Sequence, residues 1–156
     1  MKAYGPNHAS VAQTLNNMAI VLRKQGKLDE AMAKYEEALG IRVKAYGPNH
    51  ADVAATLNNM AVVLETQGKL DEAMAKYEEA LGIKVKAYGL NHADVADTLY
   101  NMADLLENQG QLEDALAKFK EALRIYTEVY GEGHPEVTDA QSRVAAVLRA
   151  QGKPGE

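Results

Sequence analysis

The strongest constraint on this chain is a near-exact internal repeat. The segment Asn-Asn-Met-Ala begins at residue 16 and recurs at residue 58; it returns at residue 100 with tyrosine in first place, a constant spacing of 42. A fixed period of this size is typical of solenoids, in which each repeat buries its apolar face by stacking on its neighbours. We divide the chain into repeats 2–43, 44–85 and 86–127 and a half repeat 128–156, which together predict one solenoid domain over 1–156.

The first two repeats are almost identical. They differ at six pairs of positions, most of which we expect to face solvent: Ser10/Asp52, Gln13/Ala55, Ile20/Val62, Arg23/Glu65, Lys24/Thr66 and Arg42/Lys84. Recent duplication produces such units, and so does a consensus-like or engineered array. The sequence leaves both origins open.

Apolar spacing predicts two helices in each repeat. In the second repeat Val53, Leu57, Met60 and Leu64 lie on one helical face. We predict A helices at Ala9–Gln25, Ala51–Gln67, Ala93–Gln109 and Pro135–Gln151, and B helices at Asp29–Tyr46, Asp71–Tyr88 and Glu113–Tyr130. His50 is the expected N-cap of its A helix. Seven antiparallel helices without a strand predict an all-α fold.

Composition excludes several classes of partner. The net charge of −5 offers no basic stripe for nucleic acid. Cysteine is absent, which excludes disulfides and thiolate metal sites. No apolar run approaches the ~18 residues of a membrane span, and the first residues lack the apolar core of a signal peptide. We expect a cytoplasmic protein without a membrane partner.

Catalytic and cofactor sites are also not expected. The four histidines occur once per repeat, at predicted junctions between loop and helix: His8, His50, His92 and His134. A helix layer separates them, which is too far for shared metal coordination. No glycine-rich phosphate loop is present, and neither Ser10 nor Ser142 has a base nearby in the pattern. The five methionines of the repeats (Met18, Met32, Met60, Met74 and Met102) are predicted to be core residues rather than ligands. We predict neither an enzyme nor a cofactor.

The packed positions resemble the tetratricopeptide repeat. Its helix A pattern is matched by Met18, Ala19 and Leu22, and its small-large-small helix B pattern by Ala31, Tyr35 and Ala38. The 42-residue period and the segments 46–54 and 57–61 are similar to the kinesin light chain type of this repeat. The usual unit has 34 residues, and the proline that normally follows helix B is replaced by Val43, Val85 and Thr127.

The resemblance implies a right-handed superhelical solenoid of three and a half repeats. Its A helices would line a concave groove that holds a peptide, and similar asparagine ladders bind peptide backbone in the family. Asn17, Asn59 and Asn101 form such a series here. The full set of candidate peptide-binding residues is Asn16, Asn17, Ile20, Arg23, Lys24, Asn58, Asn59, Val62, Glu65, Tyr100, Asn101, Asp104 and Glu107. The family's two-carboxylate clamp for chaperone C-termini is not expected, because its lysines and arginine are missing.

Charge is graded along the same face. Arg23 and Lys24 belong to the first repeat, whereas Asp97, Asp104 and Glu107 belong to the third and Asp139 follows them; Glu65 replaces Arg23 in the second. One interpretation is a peptide with acidic residues near the first repeat and basic residues near the third. The alternative is a solvated surface, since exposed ion pairs contribute only ~0–1 kcal/mol.

The two ends of the array differ. The last A helix has Gln141 and Arg143 where earlier repeats have leucine and asparagine, and a polar outer face is typical of a solenoid cap. The first A helix keeps the internal sequence, so its outer face should be partly apolar. We therefore expect self-association there, or a segment of a longer array. The main functional prediction is a non-catalytic scaffold for a protein or peptide partner; the alternative is a structural, consensus-like array without a dedicated ligand.

Overall fold

The computed structural model describes residues 9–152, and over that range every regular element is an α-helix, with no strand. The A helices are α1 (Ala9–Lys24), α3 (Ala51–Thr66), α5 (Ala93–Asn108) and α7 (Pro135–Ala150), and the B helices are α2 (Leu28–Tyr46), α4 (Leu70–Tyr88) and α6 (Leu112–Tyr130). The predicted all-α class is confirmed. Each A helix ends one residue earlier than predicted, and each B helix begins one residue earlier.

Histidine starts three of the A helices, as predicted for His50. The Nδ1 atom of His50 accepts the backbone N–H of Asp52 at 3.0 Å, and His92 accepts that of Asp94 at 3.0 Å. His134 repeats the contact with Glu136 at 3.1 Å. These bonds satisfy N–H groups that the first helical turn leaves without a partner. His8 lies outside the described residues.

Each capping histidine also stacks on the last tyrosine of the preceding B helix. The ring centroids are 4.2 Å apart for Tyr46 and His50 and 4.1 Å apart for Tyr88 and His92. Tyr130 and His134 repeat this stacking at 4.1 Å. The loop between repeats is thus fixed at both of its ends by one aromatic pair.

The turn inside each hairpin depends on glycine. Gly68 has a φ of +81°, which glycine adopts without the steric cost that a Cβ brings. Around it the N–H of Lys69 donates to the carbonyl of Leu64 at 2.8 Å, and the N–H of Gly68 donates to Glu65 at 3.0 Å. This pair of bonds closes the end of α3 and turns the chain into α4.

The helices form two compact units that divide within α4, the first ending at Ile83 and the second beginning at Lys84. In the first unit α2 packs against both α1 and α3. Its largest described core cluster consists of Ala19, Ala31, Tyr35, Val53, Ala54, Leu57, Met60, Val63, Ala80 and Ile83. Alanines beside large side chains let the helices approach closely.

In the second unit α6 packs against both α5 and α7. Phe119 of α6 is fully buried at the position that Tyr35 and Tyr77 occupy in the earlier B helices. The buried apolar residues of α7 are Val137, Ala140, Val144, Val147 and Leu148. The terminal helix is therefore held by an apolar face of its own.

The burial of three residues stands out. Most of the six differing pairs were expected to face solvent, but Arg42 and Lys84 are only 6% and 8% exposed, because each reaches forward to polar groups of the following A helix. The Arg42 guanidinium donates to the hydroxyl of Thr56 at 2.8 Å, and the Lys84 ammonium donates to that of Thr98 at 3.0 Å. Met18, predicted to lie in the core, is 43% exposed. Among the described helices, none is both long and apolar enough to cross a membrane.

Candidate functional site

The asparagine pair of the first unit joins two A helices. The Asn59 amide donates to the Asn16 side-chain oxygen at 3.5 Å, and Asn16 is only 8% exposed. Asn17 is exposed, and its oxygen accepts a bond from Gln13 at 3.1 Å. Asn16 thus supplies a long hydrogen bond between α1 and α3, whereas Asn17 presents its side chain to solvent.

The other candidate residues of this face are half-buried. Asn58, Asn59 and Val62 on α3 are all partly exposed. The side-chain oxygen of Asn58 is buried and has no hydrogen-bond partner among the described residues. Ile20 packs against the core cluster of the first unit. An apolar rim therefore borders the amides.

The charged residues of the first unit differ in exposure. Lys24 is exposed and Arg23 is half-buried. Arg23 lies beside the buried Tyr35, whose pKa is raised by burial, an effect that the guanidinium partly opposes. Glu65, which stands in the place of Arg23 in the next repeat, accepts the Tyr77 hydroxyl at 3.1 Å. At this position both repeats set a charged group against a core tyrosine.

In the second unit Arg143 of α7 gathers the predicted acidic residues. Its guanidinium donates to Glu107 at 2.8 Å and to Asp104, so that two carboxylates of α5 share one cation. It also donates to the Tyr100 hydroxyl at 3.3 Å. Burial alone would lower the pKa of Arg143, but the bonds to Glu107 and Asp104 outweigh it and hold the pKa above its ordinary value.

Two aromatic rings lie beneath this guanidinium. Its central carbon is 4.9 Å from the ring centroid of Phe119 and 5.5 Å from that of Tyr100. The two rings meet edge to face at 5.2 Å. Cations are attracted to aromatic faces within about 6 Å. The guanidinium of Arg143 is therefore bound both by the two carboxylates and by the two aromatic rings.

Tyrosine hydroxyls engage the remaining acidic residues. Tyr100 donates to Asp139, and Tyr126 donates to Asp97. Burial and the bond to Asp139 raise the pKa of Tyr100 to about 12, although Arg143 opposes the rise. Burial and the bond to Asp97 likewise raise the pKa of Tyr126. The acidic end of the predicted charge gradient thus consists of residues that already have partners within the chain.

Sequence reasoning placed Arg143 on a polar cap and missed this role. A signal was available, because residue 143 continues the series 17, 59 and 101 at the same spacing of 42. Asn101 itself is half-buried on α5. The structure brings together Tyr100, Asp104 and Glu107, and in the first unit Asn16 and Asn59. Peptide contact by the thirteen candidates stays a prediction.

A separate cavity lies in the first unit. It has a volume of about 300 Å³, and its walls come from α2, α3 and the beginning of α4. Met60 and Leu64 contribute apolar surface, and Asp29 and Lys69 contribute charge. None of the candidate peptide-binding residues lines it. Over the described residues, no group of three or more histidine, aspartate or glutamate side chains could hold a metal ion.

A known protein family matches most of the chain. The tetratricopeptide repeat family model matches residues 1–42, 10–84 and 94–156. None of the curated protein sequences gives a significant match. Proteins with this repeat generally act as non-catalytic scaffolds for protein interactions.

Solved structures share the fold at low sequence identity. The chain superposes on BtubC (BKLC) from P. vanneervenii with a TM-score of 0.86 and 23% identity, covering 97% of this chain and 60% of that one. The nearly identical TPR-like kinesin light chain repeats of Podosopora anserina give a TM-score of 0.81 at 20% identity, with 94% and 69% of the two chains covered. A variant of the latter gives 0.81 at 19%, with 98% and 70% covered. The chain thus spans about three fifths of the length of the first of these proteins.

Proposed function

Because this chain belongs to the tetratricopeptide repeat family, we propose that it is a non-catalytic scaffold that binds a peptide segment along the A helices of each unit. Proteins of this family generally mediate protein interactions, which supports the class of function. The proposal of peptide binding depends on the series of equivalent amides at Asn17, Asn59 and Asn101, called the amide series below. We also propose a cytoplasmic location and a single functional domain over 1–156.

The observation that carries the peptide proposal is the accessibility of the equivalent amides. Asn17 is exposed, and Asn59 and Asn101 are partly exposed. An amide side chain offers both a donor and an acceptor, so it can pair with the backbone of an extended peptide whatever that peptide's side chains are. Ile20 and Val62 add apolar surface beside the amides. Specificity would then come from the side chains that flank the peptide backbone.

A peptide-display selection followed by substitution of the amides tests this proposal. The selected peptide should bind the variant N17A/N59A/N101A at least about tenfold more weakly, since hydrogen bonds are worth roughly 0.5–1.5 kcal/mol each. The matched control is N49A/N108A, which removes two exposed asparagines outside the series and should leave the affinity unchanged. Isothermal titration measures both. Equal affinity for all three proteins would contradict the proposal.

A second candidate function, self-association, is favoured by the open face of α1. Met18 and Val21 are 43% and 54% exposed, whereas the equivalent Met60 and Val63 of α3 are 3% and 0% exposed. In α3 the equivalent Met60 and Val63 belong to the core cluster of the first unit. Among the described residues nothing covers Met18 and Val21 in α1, and an uncovered apolar face is typical of an association surface. The occupant we propose is the same face of a second copy.

Sedimentation velocity over a range of concentrations tests this second candidate. We expect the wild-type chain to become dimeric with rising concentration and M18Q/V21Q to stay monomeric. The control L90Q removes another exposed apolar side chain, 49% exposed and in the second unit, and should associate as the wild type does. A wild-type chain that remains monomeric at millimolar concentration would exclude self-association through α1.

A further inference from the structure

We propose that Tyr100, Asp104, Glu107 and Phe119 form a guanidinium-binding site, which the chain's own Arg143 fills and which takes an arginine side chain of a protein partner when Arg143 leaves. This inference deepens the proposed scaffold function, because it names the chemistry of one partner group. The four residues are called the guanidinium site below. It belongs wholly to the second unit.

The arrangement of groups selects a guanidinium over other cations. Glu107 and Asp104 both accept from the terminal nitrogen Nη2 of Arg143, while Tyr100 accepts from Nη1. Phe119 lies beneath the central carbon at 4.9 Å. A planar group with several fixed donors can bond at its edge and stack on a ring at the same time, whereas a lysine ammonium is a compact point charge. An arginine side chain can therefore make more of these hydrogen bonds and ring contacts than a lysine side chain can.

The carboxylates around the site carry more negative charge than the single positive charge of Arg143 neutralises. One guanidinium faces two carboxylates at once, and Asp139 adds a third through the Tyr100 hydroxyl. The side chains of Arg143, Asp104 and Glu107 are 30%, 42% and 27% exposed. An incoming arginine can thus approach from solvent, and it meets a local excess of negative charge.

Arg143 can leave the site without detaching its helix. Besides Arg143, α7 is held by its apolar face, with Val137, Ala140 and Val147 at most 1% exposed. Rotation about the side-chain bonds of Arg143 is then enough to vacate the site. The chain's own arginine competes with a partner's, so the wild-type chain should bind an arginine-bearing partner more weakly than a chain that lacks Arg143.

The single phenylalanine of the chain gives a direct test. With ring-labelled phenylalanine, one set of NMR signals reports on Phe119 while ethylguanidinium is added as the probe. In R143A we expect a saturable shift in the millimolar range. In the wild-type chain the shift should need at least about tenfold more probe, because the site is occupied. Ethylammonium should bind R143A about tenfold more weakly than ethylguanidinium, and R143A/D104N/E107Q should lose the saturable response.

Two controls keep the result decisive. Hydrogen exchange at Val144 and Leu148 shows whether α7 remains docked in R143A; if it does not, R143M keeps the unbranched stem and is titrated instead. A docked variant without a saturable shift would overturn the proposal, as would equal binding of ethylammonium. This titration involves no peptide, so its failure is distinguishable from failure of the amide series to bind one.

Discussion

At the scale of single residues, one position of the repeat holds a buried polar side chain whose identity differs from copy to copy. Arg42, Lys84 and Tyr126 occupy equivalent places near the ends of the B helices, and all three are buried. Arg42 and Lys84 donate to Thr56 and Thr98 of the A helix that follows, whereas Tyr126 donates to Asp97 of the A helix that precedes it. A buried polar group is costly unless it is hydrogen-bonded, so this position depends on its partner.

Replacing Lys84 by arginine should stabilise the fold at neutral pH. Arg42 bonds not only Thr56 but also the backbone carbonyl of Asp52 at 3.2 Å, and the equivalent carbonyl belongs to Asp94. We expect K84R to raise the free energy of unfolding by about 0.5–1.5 kcal/mol, the contribution of one added hydrogen bond. Urea unfolding at pH 7 measures it. The reverse change in the first unit, R42K, serves as the matched control and should destabilise.

The advantage of K84R should shrink at alkaline pH. Burial lowers the pKa of Lys84 below its ordinary value of 10.5, although Asp94 and Asp97 oppose the shift. Between the folded-state pKa and 10.5 the unfolded chain binds the proton more tightly, so the stability of the wild-type chain rises with pH across that window. Arginine stays charged and lacks this rise. Urea unfolding repeated near pH 10 checks the sign; a difference that is constant from pH 7 to 10 would contradict it.

At the scale of helices, the boundaries were predictable because they depend on local signals. A histidine, an apolar period and a glycine mark each A helix within its own 42 residues. The exception is the start of the B helices, since Lys27 and Gln111 make no side-chain capping bond. There the turn that follows the glycine sets the first residue, which sequence patterns locate only to within about one or two positions.

The histidine caps should be worth about as much as other N-caps. We expect H92A to lower the free energy of unfolding by roughly 0.5–2 kcal/mol, because the N–H of Asp94 loses its acceptor. H92N should recover most of the loss, since asparagine also accepts at this position. Thermal or urea unfolding of both variants checks this. The companion change Y88L removes the stacked ring but keeps the cap; a loss in Y88L equal to that in H92A would assign the effect to stacking instead.

At the scale of the whole molecule, repetition made the fold predictable and left the site only partly so. The asparagine series was visible because identical residues recur at one spacing. The pairing of Arg143 with Asp104 and Glu107 was missed, although position 143 continues the asparagine series, because it joins α5 to α7 across 39 and 36 residues through an arginine that only the last copy has at this position.

The stacked tyrosine and histidine have a consequence for how such a chain can grow. Each connector between repeats carries its ring pair and its cap within five consecutive positions, at 46–50, 88–92 and 130–134. Duplication of a 42-residue segment therefore duplicates a complete connector, with its stacked rings and its cap, along with the hairpin. A longer array therefore requires no new connector sequence, and this is compatible with expansion of the gene by unequal crossing-over.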